Sequence, residues 1–146
     1  MAMLFLVRGL PGSGKSALAL NLIASAVLAA DYFFTDEGGY YEFNPARLPA
    51  AHADCQARCA GHLANGHSVA VANTFSCRWE LEPYLVMAAR GGHDVCVVDL
   101  FDGGLTDEAL VTRCLHGVPV TGIAAMRARW EHDWRVGDPR APWARP

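Results

Sequence analysis

Gly9-Leu10-Pro11-Gly12-Ser13-Gly14-Lys15-Ser16 decides how this chain is read. The stretch follows the G-x-x-x-x-G-K-[ST] pattern of a phosphate-binding loop and contains the only lysine of the 146 residues. Four fixed positions arise by chance, so the flanks must agree: a buried strand before the loop and a helix opening at the lysine. The apolar run Met3-Leu4-Phe5-Leu6-Val7 supplies the first. The second comes from a segment rich in Ala and Leu, with Leu18, Leu22 and Ala26 four residues apart, which predicts a helix over 15–25. Glycines 9, 12 and 14 let the backbone turn with its N–H groups inward, where they and the helix N-terminus cradle phosphate oxygens. Leu10, Pro11 and Ser13 complete the loop, Pro11 stiffening it. Lys15 then reaches the β and γ phosphates and the Ser16 hydroxyl ligates Mg²⁺. A ligand-free glycine turn is the alternative, and it leaves Lys15 without a purpose.

Outward from the loop, a chain of this length fits one domain over 1–146, able to bury a core without staples. Hydrophobic content of 52% and charged content of 18% describe a folded chain and exclude a disordered one. The apolar stretch 23–30 is too short to span a bilayer, and the first three residues lack a basic leader region. The expected location is therefore cytoplasmic, with no membrane partner. Cysteines 55, 59, 77, 96 and 114 are odd in number and form no C-x-x-C pair, which argues against a disulfide framework and a structural zinc. Cys55 and Cys59, one helical turn apart, read as small buried thiols. Net charge is −3, yet residues 113–146 hold six arginines against three acids, while residues 1–112 hold six basic residues against twelve acids. Clustered arginines suit phosphate or nucleic acid, and solvated arginines on a helix face are the equal alternative.

The pattern along the chain alternates strand and helix. Strands are expected at 3–8, 26–30, 68–72 and 94–100, with helices at 45–64, 80–89, from Thr106, and at 121–134. Asn65-Gly66 and Gly91-Gly92 read as helix stops, Thr106 as an N-cap, and 137–146 as an irregular tail. Between strand and helix lies the aromatic, acidic segment 31–45, expected as a surface loop. Such alternation implies an α/β fold with a parallel sheet of four to five strands sandwiched between helices. Ligands then gather at the carboxyl ends of the strands. That rule selects Asp31, the pair Asn73-Thr74 and the stretch from Leu100 to Asp102 as neighbours of the loop.

From residue 4 to about 134 the chain resembles the bacteriophage polynucleotide-kinase-like branch of P-loop kinases, small AAA-type ATP-binding proteins. The matching pieces are LFLVRGLPGSGKS, AADYFFTDEGGYYEFNP, AAHADCQARC, VAVANTF with RWELEPYLVMA, and RCLHGVP leading to MRARWE. The resemblance implies ATP-dependent, Mg²⁺-assisted phosphoryl transfer to a hydroxyl, often on a nucleic acid. Asp31 matches the acid that activates the acceptor hydroxyl, with Asp36 or Glu37 as the fallback where relatives carry two adjacent aspartates. Arg113 matches a lid arginine that closes over the transferring phosphate, and His116 beside it reads as shaping that lid or contacting phosphate, not as a base. Asn73 and Thr74 either bind phosphate or acceptor or only turn the chain. Arg78 either faces acceptor phosphate or stands on the surface. Ala72 replaces an acid common in relatives, so Mg²⁺ relies on Ser16, phosphates and water.

The acceptor expected first is the hydroxymethyl group of 5-hydroxymethyluracil in DNA, as in small phage relatives; a polynucleotide 5′-hydroxyl comes second and a small alcohol third. DNA is thus the expected partner. Exposed rings between Tyr32 and Phe43 would stack a base, whereas Phe33, Phe34 and Phe43 are equally placed to pack a lid. Asp99 and Asp102 read as caps of the following loop. The reading from another class is a regulatory module that binds ATP and transfers to nothing.

Overall fold

The computed structural model describes residues 2–146; Met1, part of the reading of the N-terminal run, lies outside them. Strand β1 (Met3–Gly9) is flanked by β3 (Val69–Asn73) on one side and β4 (Asp94–Phe101) on the other, and β2 (Ala26–Leu28) lies beyond β3. All pairings are parallel, with Leu6 opposite both Val71 and Val97. The order β2-β3-β1-β4 leaves β1 central, and the phosphate loop grows from its carboxyl end. Four strands fall within the expected four to five.

Side-chain alternation along the strands assigns the faces. Leu4, Leu6, Val69 and Val71 point to one side and pack with Ala51, Cys55, Cys59 and Leu63 of α2 (Leu48–Ala64) and Leu81, Tyr84 and Ala88 of α3 (Arg78–Gly91). Val7, Ala70 and Ala72 point to the other side and meet Ala19 of α1 (Lys15–Leu20). Each fully buried leucine stabilises the fold by about 1.5–3 kcal/mol. The thiols of Cys55 and Cys59 are core groups, and burial pushes the Cys59 thiol up to about 12. A third cluster, Leu10, Leu110, Ile123 and Trp130, ties α4 (Asp107–Arg113) and α5 (Val120–Ala128) to the loop end of the sheet.

Four helices differ from their expected bounds, α3 only by running two residues further at each end. The first stops at Leu20 instead of residue 25, because the Asn21 side-chain amide turns back to the Ala17 carbonyl at 2.8 Å and Ser25 N–H is drawn to Ser68 O at 2.8 Å. The four-residue spacing thus ran on past the helix into β2. The second begins with a 3₁₀ turn, Pro45–Arg47, capped by Asn44, before α2. The last, α5, ends at Ala128, and the tail forms 3₁₀ turns at Trp134–Val136 and Pro142–Ala144. Strand β2 is also shorter than expected: residues Ala30–Phe34 form a 3₁₀ helix that carries Asp31. The capping signals at Gly66, Gly92 and Thr106 stand where expected, with φ of 77° and 69° at the two glycines and Thr106 Oγ1 accepting from Ala109 N–H at 3.2 Å.

Among the described residues no helix is long and apolar enough to cross a membrane, and no group of three or more His, Cys, Asp or Glu side chains is placed to hold a metal ion.

Candidate active site

The phosphate loop is shaped by what presses on it. Gly9 N–H donates to Thr74 O at 3.2 Å and Leu10 N–H to Phe101 O at 2.8 Å, so the loop's entry hangs between the ends of β3 and β4. Gly12 and Gly14 have φ of 83° and 95°, the left-handed region that side chains resist. A β-carbon at Gly12 would also overlap the Leu110 carbonyl, so α4 packs its backbone directly on the loop. Gly103, φ 63°, presses from the same side, its Cβ position lying 3.1 Å from Ser13 O. Phe75 and Phe101 adopt φ of 49° and 50°, strained for aromatic residues, at the ends of the two strands that flank β1.

Inside this cradle the polar groups point at no protein partner. Ser13 Oγ is buried without a hydrogen bond. The N–H groups of residues 15 and 16 open α1 and so have no intrahelical acceptor. Burial pushes the Lys15 ammonium below its ordinary range, opposed by the charge of Asp31 and then that of Cys114. An ammonium held with low solvation beside orphaned amides is complementary to a phosphate chain, and this arrangement fits a nucleoside triphosphate. For Mg²⁺ the donor set is the exposed Ser16 hydroxyl, phosphate oxygens and water, a set the ion accepts because it keeps several waters when bound. Ala72 is buried at the end of β3 and contributes no carboxylate.

Asp31, the acid expected to face an acceptor, stands in a second cluster. Asp31 Oδ1 receives the Tyr41 hydroxyl at 3.5 Å, and its Oδ2 stands 3.6 Å from His116 Nε2. The Tyr41 and His116 rings pack against each other with centroids 4.4 Å apart. Desolvation, then the Asp31 charge, pushes the Tyr41 phenol up to about 12, so it remains a donor at neutral pH. Arg113 ends α4 with Nη2 4.0 Å from the position a Gly14 Cβ would take, which sets its guanidinium over the loop. Lys15, Ser16, Asp31 and Arg113 are therefore brought together.

Asn73 and Arg78 each engage groups within the protein. Asn73 is buried, and its Oδ1 accepts from Ala30 N–H at 2.8 Å, so it holds the turn that presents Asp31. Thr74 stands at the loop's entry through its carbonyl. Arg78 gives its Nε to Glu82 at 2.6 Å and Nη1 to Arg135 O at 3.3 Å, with Trp134 beneath it, and so ties α3 to the tail. Asp102 caps as expected, accepting from Gly104 N–H at 2.8 Å, and also receives Arg127. Asp99 instead pairs with Arg8 at 2.9 Å.

Arg8 escaped the sequence reading. It is fully buried at the end of β1, donates to Phe75 O at 2.9 Å and Ser76 O at 3.1 Å, and lies 4.0 Å from the Trp130 ring. It welds the exits of β1, β3 and β4 below the loop, and burial pulls its guanidinium below the usual range against the pull of Asp99. An arginine inside an apolar strand was the available signal, since a buried charge requires a partner. Of the aromatic segment, Phe34 packs edge-on against Phe33, Tyr41 and Phe43, while Tyr32, Tyr40 and Phe43 remain substantially exposed.

Comparisons with known proteins agree with this geometry. Residues 4–113 match the family described as AAA domain. The chain is 32% identical over 139 residues to human (Homo sapiens) NEDD4-binding protein 2, a match covering 88% of this chain and 8% of that protein. In fold it is similar to a chain of the Pnkp1/Rnl/Hen1 RNA repair complex, with a TM-score of 0.68 and 22% identity over 88% of this chain and 43% of the other. A second structure of the Pnkp1/Rnl/Hen1 complex matches with a TM-score of 0.60 and 24% identity, covering 77% and 39%. The chain thus spans a small fraction of the human relative and under half of these solved chains. A phosphate loop on a parallel α/β sheet, matched over most of its length, places the chain in the AAA domain family of P-loop proteins.

Proposed function

We propose that this domain is an ATP-dependent kinase that transfers the γ-phosphate to a hydroxyl group on nucleic acid. The observation that carries this reading is a phosphate loop with the Arg113 guanidinium set over it, joined in one site by an Asp31 carboxylate that Tyr41 and His116 contact. In this reading Lys15 and the loop amides hold the phosphates, Arg113 covers the transferring group as negative charge spreads, and Asp31 accepts the proton of the attacking hydroxyl. Bound Mg²⁺, held through Ser16, supplies charge neutralisation along the phosphates. A binding module with no acceptor would need the cradle but not a carboxylate facing it.

Two acceptors suit the site. The hydroxymethyl group of 5-hydroxymethyluracil in DNA is favoured by the exposed rings of Tyr32, Tyr40 and Phe43, which suit an unstacked base. A polynucleotide 5′-hydroxyl is favoured by the likeness to chains of the Pnkp1/Rnl/Hen1 complexes. Incubation with γ-labelled ATP and 5′-hydroxyl DNA, end-blocked duplex containing 5-hydroxymethyluracil, and a pool of small alcohols separates these. Label in the end-blocked duplex supports the modified base, and label only at free ends supports the 5′-hydroxyl. ATP binding with no label in any acceptor overturns the kinase reading in favour of a regulatory module.

A further inference from the structure

His116 has no role in the chemistry described so far, yet it makes a long-range contact with the group that carries that chemistry. It lies between α4 and α5, next to Leu115, which is 92% exposed, so the segment runs along the surface. There the imidazole seats on the Tyr41 ring at 4.4 Å and brings Nε2 to 3.6 Å from Asp31 Oδ2. Asp31 is thereby bracketed by two segments distant in sequence, the Tyr41 hydroxyl on Oδ1 and His116 on Oδ2. Both contacts are longer than a tight hydrogen bond, as catalytic contacts commonly are before substrates draw a site together.

We propose that His116 is a positioning residue for the acceptor-side carboxylate: its imidazole, seated on the Tyr41 ring, fixes the plane of Asp31 for proton abstraction. The inference rests on the transferase reading, because it assigns His116 a part in that reaction. The groups facing this contact are Asp31 from the 3₁₀ turn, Tyr41 from the loop that follows, Lys15 from the phosphate loop, and Arg113 and Cys114 from the same segment as His116. A neutral N–H donor leaves a carboxylate able to take a proton, since each oxygen keeps a second lone pair.

The experiment measures kcat and the KM for ATP in transfer to whichever acceptor the wild-type protein labels, for wild type, His116→Gln and His116→Ala. His116→Gln keeps an N–H donor, so it retains most of the wild-type kcat. His116→Ala loses about tenfold in kcat, the scale seen for residues that orient a catalytic group, with the KM for ATP unchanged. Tyr41→Phe, read alongside thermal melts, covers the case in which His116→Ala fails to fold; it removes the hydroxyl from Asp31 and lowers kcat with the KM for ATP unchanged. Wild-type kcat in His116→Ala, or a loss in His116→Gln as large as in His116→Ala, overturns the inference and leaves the kinase reading standing. A wild type that labels no acceptor overturns both.

Discussion

The phosphate loop, residues 9–16, and the acceptor-side segment, residues 30–47, face each other across the same site and are built by opposite means. The loop is specified by backbone: two left-handed glycines, a proline, and carbonyls of neighbouring strands and α4 that leave room for one path. Its lysine, Lys15, stands at the first position of α1. The acceptor segment has little regular structure, two 3₁₀ turns and one isolated bridge between Thr35 and Tyr41. Its carboxylate, Asp31, is contacted by side chains: Asn73 binds the neighbouring Ala30 N–H, while Tyr41 and His116 approach the carboxylate itself. Loop segments of this kind change without disturbing the sheet.

The largest expected break in that contrast is Lys15→Ala. Removing the ammonium from a desolvated cradle should lower kcat by roughly a thousandfold, measured with γ-labelled ATP, while circular dichroism stays that of the folded protein. On the facing side, Asp31→Asn should lower transfer by roughly a hundredfold with ATP affinity intact by calorimetry. Equal loss of ATP binding in the two variants would erase the division between donor and acceptor sides.

Glycine substitutions sharpen the comparison. Gly12→Ala and Gly39→Ala start from the same φ of 83°, but a Cβ at Gly12 meets the Leu110 carbonyl and one at Gly39 meets nothing within 4 Å. Both pay a left-handed penalty of about 1 kcal/mol; only Gly12→Ala should lose ATP binding and melt several degrees lower. Matching melts and binding for the two would show that close packing by α4 does not shape the loop.

Alkaline pH probes the scaffold beneath both regions. Because burial raises the folded-state Cys59 thiol from about 9 to about 12, its contribution is complete below the unfolded value and fades as pH climbs toward the folded one. Denaturant midpoints should therefore fall from pH 9 upward, and Cys59→Ala should flatten that fall. A variant with the wild-type slope would place the alkaline transition elsewhere, Tyr41 included.

Much of this was readable from residue order. The strand-loop-helix register around Lys15, the four parallel strands and the stops at Gly66 and Gly92 follow from periodicity and from the few residues that tolerate left-handed backbone. Helix α1 was overread, since Leu22 and Ala26 continue a four-residue spacing that Asn21 interrupts by its own hydrogen bond. Asn73 and Arg78 stood at plausible positions, but which way a polar side chain turns depends on neighbours 43 and 57 residues away.

Residue types and spacing by themselves marked the phosphate loop, because three glycines, a proline and one lysine over eight positions are a local signature, while the carbonyls of Thr74, Phe101 and Leu110 complete its shape. Only the folded chain decided what faces it. Asp31, Tyr41 and His116 come from segments with no common period, and Arg8 meets Asp99 across 91 residues. Such contacts exist only after the sheet has brought its strand ends together, and no local pattern encodes them.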